Sequence, residues 1–258
     1  MDEMLRRETG IKLLIIFYGC LSRSLHITSN NHKDKILSSF QDIDYDLCYI
    51  NNQVNLIDGV EVTSFDRKQI KYDYFLEFDQ SLVDRKILEL YPNYINLFRK
   101  PPQHPVDYIE RHGLNPFRNS FLETQVSEFI LSKQNQYSHC LVACADNWFE
   151  SPISLDWNFR DHVIVSDQNP ADGYTNGFYF GQLKSVGKLI NTFYNLNSDA
   201  TKDFEYLLKC NANRHNISIV EKNYRFLKIR ASGEPAYLNS GCNAWQAVKH
   251  IFRDYKPN

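Results

Sequence analysis

Tyr137-Ser-His-Cys-Leu-Val-Ala-Cys-Ala-Asp146-Asn-Trp-Phe149-Glu-Ser-Pro152-Ile153 is the stretch whose reading decides the fold. From Cys140 to Ala145 every residue is apolar or small and none is charged, and a carboxylate follows at once. Such a run describes a strand buried on both faces that delivers Asp146 to its C-terminal edge. In open α/β sheets that edge is where ligands bind. An acid there can hold a divalent ion against a phosphate, because hard cations prefer carboxylate oxygen. It can equally cap a turn. Trp148 and Phe149 then offer apolar surface, and Pro152 stops the strand.

Working outward, Ile11 to Tyr18 is a second near-continuous apolar run and gives the first strand. Arg6 and Arg7 ahead of it resemble a signal-peptide n-region, but the run is too short to span a bilayer and no clean cleavage site follows. The strand leads into Gly19-Cys-Leu-Ser22-Arg23-Ser24. In that loop Gly19 permits close backbone approach, Ser22 and Ser24 offer hydroxyls, and Arg23 can pair bidentately with a phosphate. A helix beginning near Leu25 to Asn31 would add its positive end, though any βα unit has this form. Residues 32–40 fit a connecting helix and Tyr45 to Ile50 a second strand, closing a βαβ unit before a polar loop at Asn51-Asn52-Gln53.

Farther along, Val60 to Ser64 and Tyr72 to Phe78 are candidate strands and Ser81 to Leu90 a helix. Tyr91 to Asn119 carries Pro92, Pro101, Pro102, Pro105 and Pro116, which predicts a surface excursion or lid. A helix capped by Asn119 or Ser120 runs to about Gln134, with Phe121, Leu122, Val126, Phe129 and Ile130 near one face. His162 to Ser166 is a short strand. The loop from Asp167 to Phe178, with Asp172, Gly173 and Tyr174, could wall a substrate site or serve as turn chemistry alone. Gly181 to Tyr194 and Ala200 to Asn211 are predicted helices, Asn216 to Val220 and Tyr224 to Ile229 late strands, and Asn243 to Tyr255 a terminal helix.

The composition bounds the function classes. A chain of 258 residues can bury a sizeable core as one α/β domain. Its 29 Lys and Arg against 31 Asp and Glu leave a charge of -2, so no overall basic field recruits nucleic acid or an anionic membrane. The 16 Tyr and 17 Phe suit sugar stacking as well as packing. Six cysteines without a CxxC pair point to reduced core residues, and strand alternation puts His139 on the face opposite Cys140 and Cys144. Without a membrane-spanning run, a soluble cytoplasmic protein is expected.

Four pieces in order resemble the glycosyltransferase-like proteins of bacterial capsule or lipopolysaccharide clusters and of large DNA viruses. They are the strand ending in Gly-x-x-x-Arg (Gly19 to Arg23), the strand ending in Asp-x-x-Phe-x-x-Pro-Ile (Asp146 to Ile153), the Gly-Tyr-x-Asn-x-Phe loop (Gly173 to Phe178), and the late strand ending in Arg-x-x-Gly (Arg230 to Gly233). The resemblance implies a GT-A-like (Rossmann-like) α/β fold: a single domain with a mixed, mainly parallel sheet, a nucleotide-binding half over about 11–150 and an acceptor-side half over about 151–258. It implies transfer of a sugar from a UDP- or GDP-sugar donor to a glycan or glycoprotein acceptor, in the host cytoplasm if the protein is viral. Asp146 matches the acid that holds Mn²⁺ or Mg²⁺ on the donor diphosphate. Gly19, Ser22, Arg23, Trp148, Tyr174 and Arg230 would line the donor site, and Asp172 or, second, Asp167 would take the acceptor's proton. Such relatives commonly carry Arg two residues before the acid, where this chain has Cys144, and Asn-Asp-Arg where it has Thr175-Asn176-Gly177. Those departures fit the other reading, a catalytically degenerate nucleotide-sugar- or glycan-binding module.

Overall fold

The computed structural model describes residues 12–54, 56–57, 60–61, 65–94, 114–154, 162–168, 173–196 and 204–229. Its first strand, β1 (Leu13–Gly19), is buried on both sides: Leu14, Ile16 and Tyr18 face one layer and Leu13, Ile15 and Phe17 the other. The chain then forms α1 (Leu21–Lys35), β2 (Tyr45–Gln53), a small hairpin of β3 (Leu56–Ile57) and β4 (Val60–Glu61), β5 (Tyr74–Asp79), α2 (Gln80–Leu90) and α3 (Asn115–Ser132). After these come β6 (His139–Cys144), β7 (Asn147–Phe149), β8 (His162–Ser166), β9 (Phe178–Gln182), α4 (Leu183–Ile190), α5 (Phe204–Arg214), β10 (Ser218–Lys222) and β11 (Phe226–Lys228).

Seven strands make one sheet in the order β5-β2-β1-β6-β9-β8-β10, parallel throughout except for β9. One face is covered by α2, α3, α4 and α5, the other by α1 and by a ribbon of β7 paired antiparallel with β11. The protein is therefore an α/β sheet flanked by helices, of Rossmann-like type. From β1 the chain steps to β2 and β5 on one side, then returns to lay β6 on the other side of β1. The connection leaving β1 covers one face and the one entering β6 the opposite face, which opens a crevice beyond the C-terminal ends of these two strands.

Several expectations are corrected. Residues Gly19 to Ser24 are not a loop before a later helix: Gly19, at φ +127°, turns the chain so sharply that α1 starts at Leu21 and runs unbroken to Lys35. Only Leu37–Phe40 follow, as a 3₁₀ turn. Asn51 to Gln53 continue β2 instead of leaving it. Pro116 belongs to the first turn of α3, where its missing N–H is no loss, so the helix begins four residues before Asn119. Gly181 is not a helix start but part of β9, where a Cβ would come within 2.8 Å of the His162 carbonyl oxygen. Pro152 does not end the central strand; a turn at Ala145 and Asp146 does, and Trp148 and Phe149 form β7 beyond it. The stretches 95–113, 155–161, 169–172, 197–203 and 230–258 lie outside the described residues, and with them most of the proline-rich segment, Asp172, Arg230 to Gly233 and the expected terminal helix. No helix among the described residues is long and apolar enough to cross a membrane.

Candidate functional site

Asp146 sits in a two-residue turn pinned from several elements. The Ala145 N–H donates to the Tyr18 carbonyl at 2.8 Å, and the Cys144 N–H to the Gly177 carbonyl at 2.9 Å. The Thr28 hydroxyl of α1 donates to the Ala145 carbonyl at 2.7 Å, and the Ile229 N–H to the Asp146 carbonyl at 2.8 Å. Asn31 of α1 brackets Phe149, donating to its carbonyl at 2.9 Å and accepting from its N–H at 2.7 Å. The sequence folds this way because α1 turns apolar Leu21 and Leu25 and small polar Thr28 and Asn31 toward β7. Its His32 ring stacks on Phe17 at 4.4 Å and donates through Nε2 to the Asn147 carbonyl at 2.7 Å. Burial holds that imidazole neutral, its pKa lowered to about 4.

The turn faces a cleft of about 320 Å³ at the switch point. Gly19, Cys20 and Arg23 line it from β1 and α1, Asn52 from β2, Gln80 from α2, and Asn115, Arg118 and Asn119 from the first turns of α3. Cys144, Asp146, Asn176 and Lys228 close the opposite wall. Of the residues expected to form the site, Gly19, Arg23 and Asp146 are thus brought together, and Arg23 Nη1 donates to Asp146 Oδ2 at 3.2 Å. The Asp146 side chain is only 14% exposed, so this pair is far less screened than a surface one.

The other candidates among the described residues, Ser22, Trp148, Tyr174 and Asp167, do not line the cleft, and Asp172 and Arg230 lie outside the described residues. Ser22 lies in the first turn of α1, 3.8 Å from the Cys20 sulfur, and Trp148 stands opposite Leu227 in the ribbon. Tyr174 packs against the helical core, fixed by its N–H to the Glu205 carbonyl at 3.0 Å. Asp167 is exposed just past the C-terminal end of β8, its N–H donating to the Lys222 carbonyl at 2.8 Å.

Sequence reasoning missed Lys228, Asn52 and Asn119. Lys228 reaches the cleft from β11 and donates to Asn176 Oδ1 at 3.4 Å. Burial works against its charge, but Cys144, Asp146, Glu205 and Glu123 outweigh that and raise its pKa, so it stays an ammonium. It makes no ion pair among the described residues, whereas Arg118 is held by Asp84 through two bonds of 2.7 Å. Asn52 donates to Gln80 at 3.0 Å, yet its Oδ1 is buried with no partner, while the Asn119 side chain is turned toward the buried Glu123. Asn52 is 5% exposed, so a lost hydrogen bond there is costly unless something entering the cleft supplies it.

Beneath the cleft Glu123 is fully buried on α3, accepting from the Tyr18 hydroxyl and from the Tyr179 hydroxyl at 2.9 Å. Burial raises its pKa to about 7 against the pull of both phenols and of Lys228.

A divalent ion needs several oxygen ligands. No group of three His, Cys, Asp or Glu suited to a metal occurs among the described residues, and Asp146, the one cleft carboxylate among them, is bonded to a guanidinium with an ammonium beside it. A dication would displace Arg23 and sit against Lys228, so this donor set does not fit Mn²⁺ or Mg²⁺ well.

What the arrangement can do is receive an anion. The N-terminal ends of α1 and α3 both open on the cleft, where the helix dipoles favour negative charge, and Arg23 and Lys228 add full positive charges. Fold and site together define a Rossmann-like α/β protein with an anion-receptive cleft at its topological switch point. No family model and no curated protein matches the chain.

Proposed function

We propose that this protein is a GT-A-like glycosyltransferase that moves a sugar from a nucleotide-diphosphate donor to a hydroxyl of a glycan or glycoprotein acceptor. The observation that carries this reading is the meeting of Arg23 and Asp146 in the switch-point cleft, at the ends of the two parallel strands where nucleotides bind in such sheets. The mixed, mainly parallel sheet is of the kind the sequence resemblance implies. Unpaired Asn52 Oδ1 offers an acceptor to a ligand rich in hydroxyls or amides.

In the reaction the bond from the anomeric carbon to phosphate oxygen breaks, the acceptor oxygen bonds to that carbon, and the leaving diphosphate takes the electron pair. Arg23, Lys228 and the two helix ends meet that growing charge. The acceptor's proton goes to a carboxylate, for which Asp172 remains the first candidate by its place in the Asp167 to Phe178 stretch of sequence and the exposed Asp167 the weaker one. Cys144, standing where an Arg is common in the resembling proteins, favours a second reading as a degenerate nucleotide-sugar- or glycan-binding module. A panel of nucleotide sugars, scored for hydrolysis and transfer with and without Mn²⁺, tests both. Turnover that falls in Asp146→Ala supports the enzyme, donor binding without turnover supports the module, and turnover equal in variant and wild type removes Asp146 from the site.

A further inference from the structure

We infer that the cleft binds the diphosphate of its ligand directly, without a divalent ion, through Arg23, Lys228 and the N-terminal ends of α1 and α3, with Asp146 positioning Arg23 instead of ligating metal. This deepens the function proposed above and rests on it for the identity of the ligand.

The charge arrangement carries the argument. A site that uses a metal to neutralise phosphate gathers acidic ligands. Here the cleft gathers cations, and its only carboxylate among the described residues is already bonded to one of them. Arg118 is held by Asp84 and Arg23 by Asp146, which leaves the Lys228 ammonium as the charge without an acidic partner within bonding distance among the described residues. A phosphate entering between Arg23 and Lys228 completes that balance, where a dication would worsen it. Both helix dipoles contribute in the same sense: the N-cap residues of α1 and α3 make no side-chain cap, and the Leu21 N–H of α1 is held by Asn51 Oδ1 at 3.0 Å. Gly19 leaves open space where a side chain would otherwise stand, so an oxyanion can approach this turn. The unpaired Asn52 Oδ1, 5% exposed and on the cleft wall, is the independent sign that the cleft is completed by a ligand. Asp146, fixed through its backbone on both flanks, presents its carboxylate to Arg23 and sets where the guanidinium points.

The test is calorimetric titration of the full chain with UDP, GDP and inorganic pyrophosphate, in excess EDTA and again with Mn²⁺. The expected result is binding in EDTA within about threefold of that in Mn²⁺, weakened roughly tenfold or more by Lys228→Met, which keeps the stem's volume. Asp146→Asn keeps an acceptor for Arg23 while removing a charge that repels the ligand, and is expected to tighten pyrophosphate by about threefold. Circular dichroism of each variant checks that it is folded, and Lys228→Gln serves if Lys228→Met is not. Binding that requires Mn²⁺ and is lost in Asp146→Asn overturns the inference and leaves the donor reading standing. Pyrophosphate bound in EDTA with no nucleotide bound at all supports the anion site and removes the donor reading. No binding of any of the three, with or without metal, overturns both.

Discussion

Replacing Glu123 by Gln should abolish the pH dependence that this carboxyl imposes on stability. Glu123 is fully buried under the cleft, with two phenols donating to its Oε1 and its Oε2 unpartnered. Burial is the largest cause of its raised pKa, which moves from 4.5 to about 7. In the unfolded chain the proton leaves above 4.5, while the folded protein keeps it until about 7. The group's contribution to stability is thus fully present below 4.5, declines across the window, and is lost above about 7. A difference of about 2.5 at 1.36 kcal/mol each makes the loss roughly 3 kcal/mol. Gln does not titrate and retains an oxygen for Tyr18 and Tyr179. Every other titrating group is common to both proteins, so the difference between their stabilities isolates this site. Urea denaturation at a series of pH values should show Glu123→Gln gaining on wild type by roughly 3 kcal/mol between about pH 4.5 and 8, read from midpoints at unchanged slope. A difference that stays flat with pH, or moves in favour of wild type as pH rises, would refute the assignment of a buried, proton-retaining carboxyl.

Gly19→Ala has room for its methyl but not the backbone freedom: at φ +127° it should cost roughly 1 to 3 kcal/mol in the same denaturation assay and shift the start of α1. Asn31→Ala removes both bonds that bracket Phe149 and should cost roughly 2 to 4 kcal/mol, with faster amide exchange at Trp148 and Phe149 as the local signature. His32 should remain neutral at pH 6 by nitrogen-detected titration. Because its folded pKa is lowered to about 4, the stability it contributes is present above 6.5 and lost as pH falls toward 4.

The central strands were legible because strands buried on both faces are continuous apolar runs, and Leu13 to Tyr18, Cys48 to Ile50 and Cys140 to Cys144 are just that. The alternation rule also put His139 opposite the two thiols, as found: His139 stacks on Phe180 while Cys140 and Cys144 join the core on the helical side. Strand β9 was missed because Phe178 to Phe180 run without a break into the apolar face of α4, and a glycine needed for close approach to His162 looks like a helix breaker. Asn51 and Asn52 are polar yet belong to a strand, since they stand at its ligand end, one capping α1 and the other walling the cleft. Arg23 was legible from its place just past the first strand. Lys228 was not: it comes to Asp146 only through the pairing of β11 with β7, a contact across some eighty residues that no local pattern encodes.

That pairing also explains how the site can be precise on so short a turn. The ribbon of β7 and β11 has three residue pairs and could not stand alone. It is held by α1, whose Thr28, Asn31 and His32 each bond to the chain between Ala145 and Phe149. The helix that brings Arg23 to the cleft is therefore the same one that clamps the turn carrying Asp146, and the ribbon clamped with it carries Lys228. The Arg23 to Asp146 distance is set within one rigid block of β1, α1 and β7, built from backbone carbonyls and small polar side chains. Substituting the Asp146 side chain leaves those clamps in place, which is what separates its contribution to the cleft's charge from its contribution to the fold.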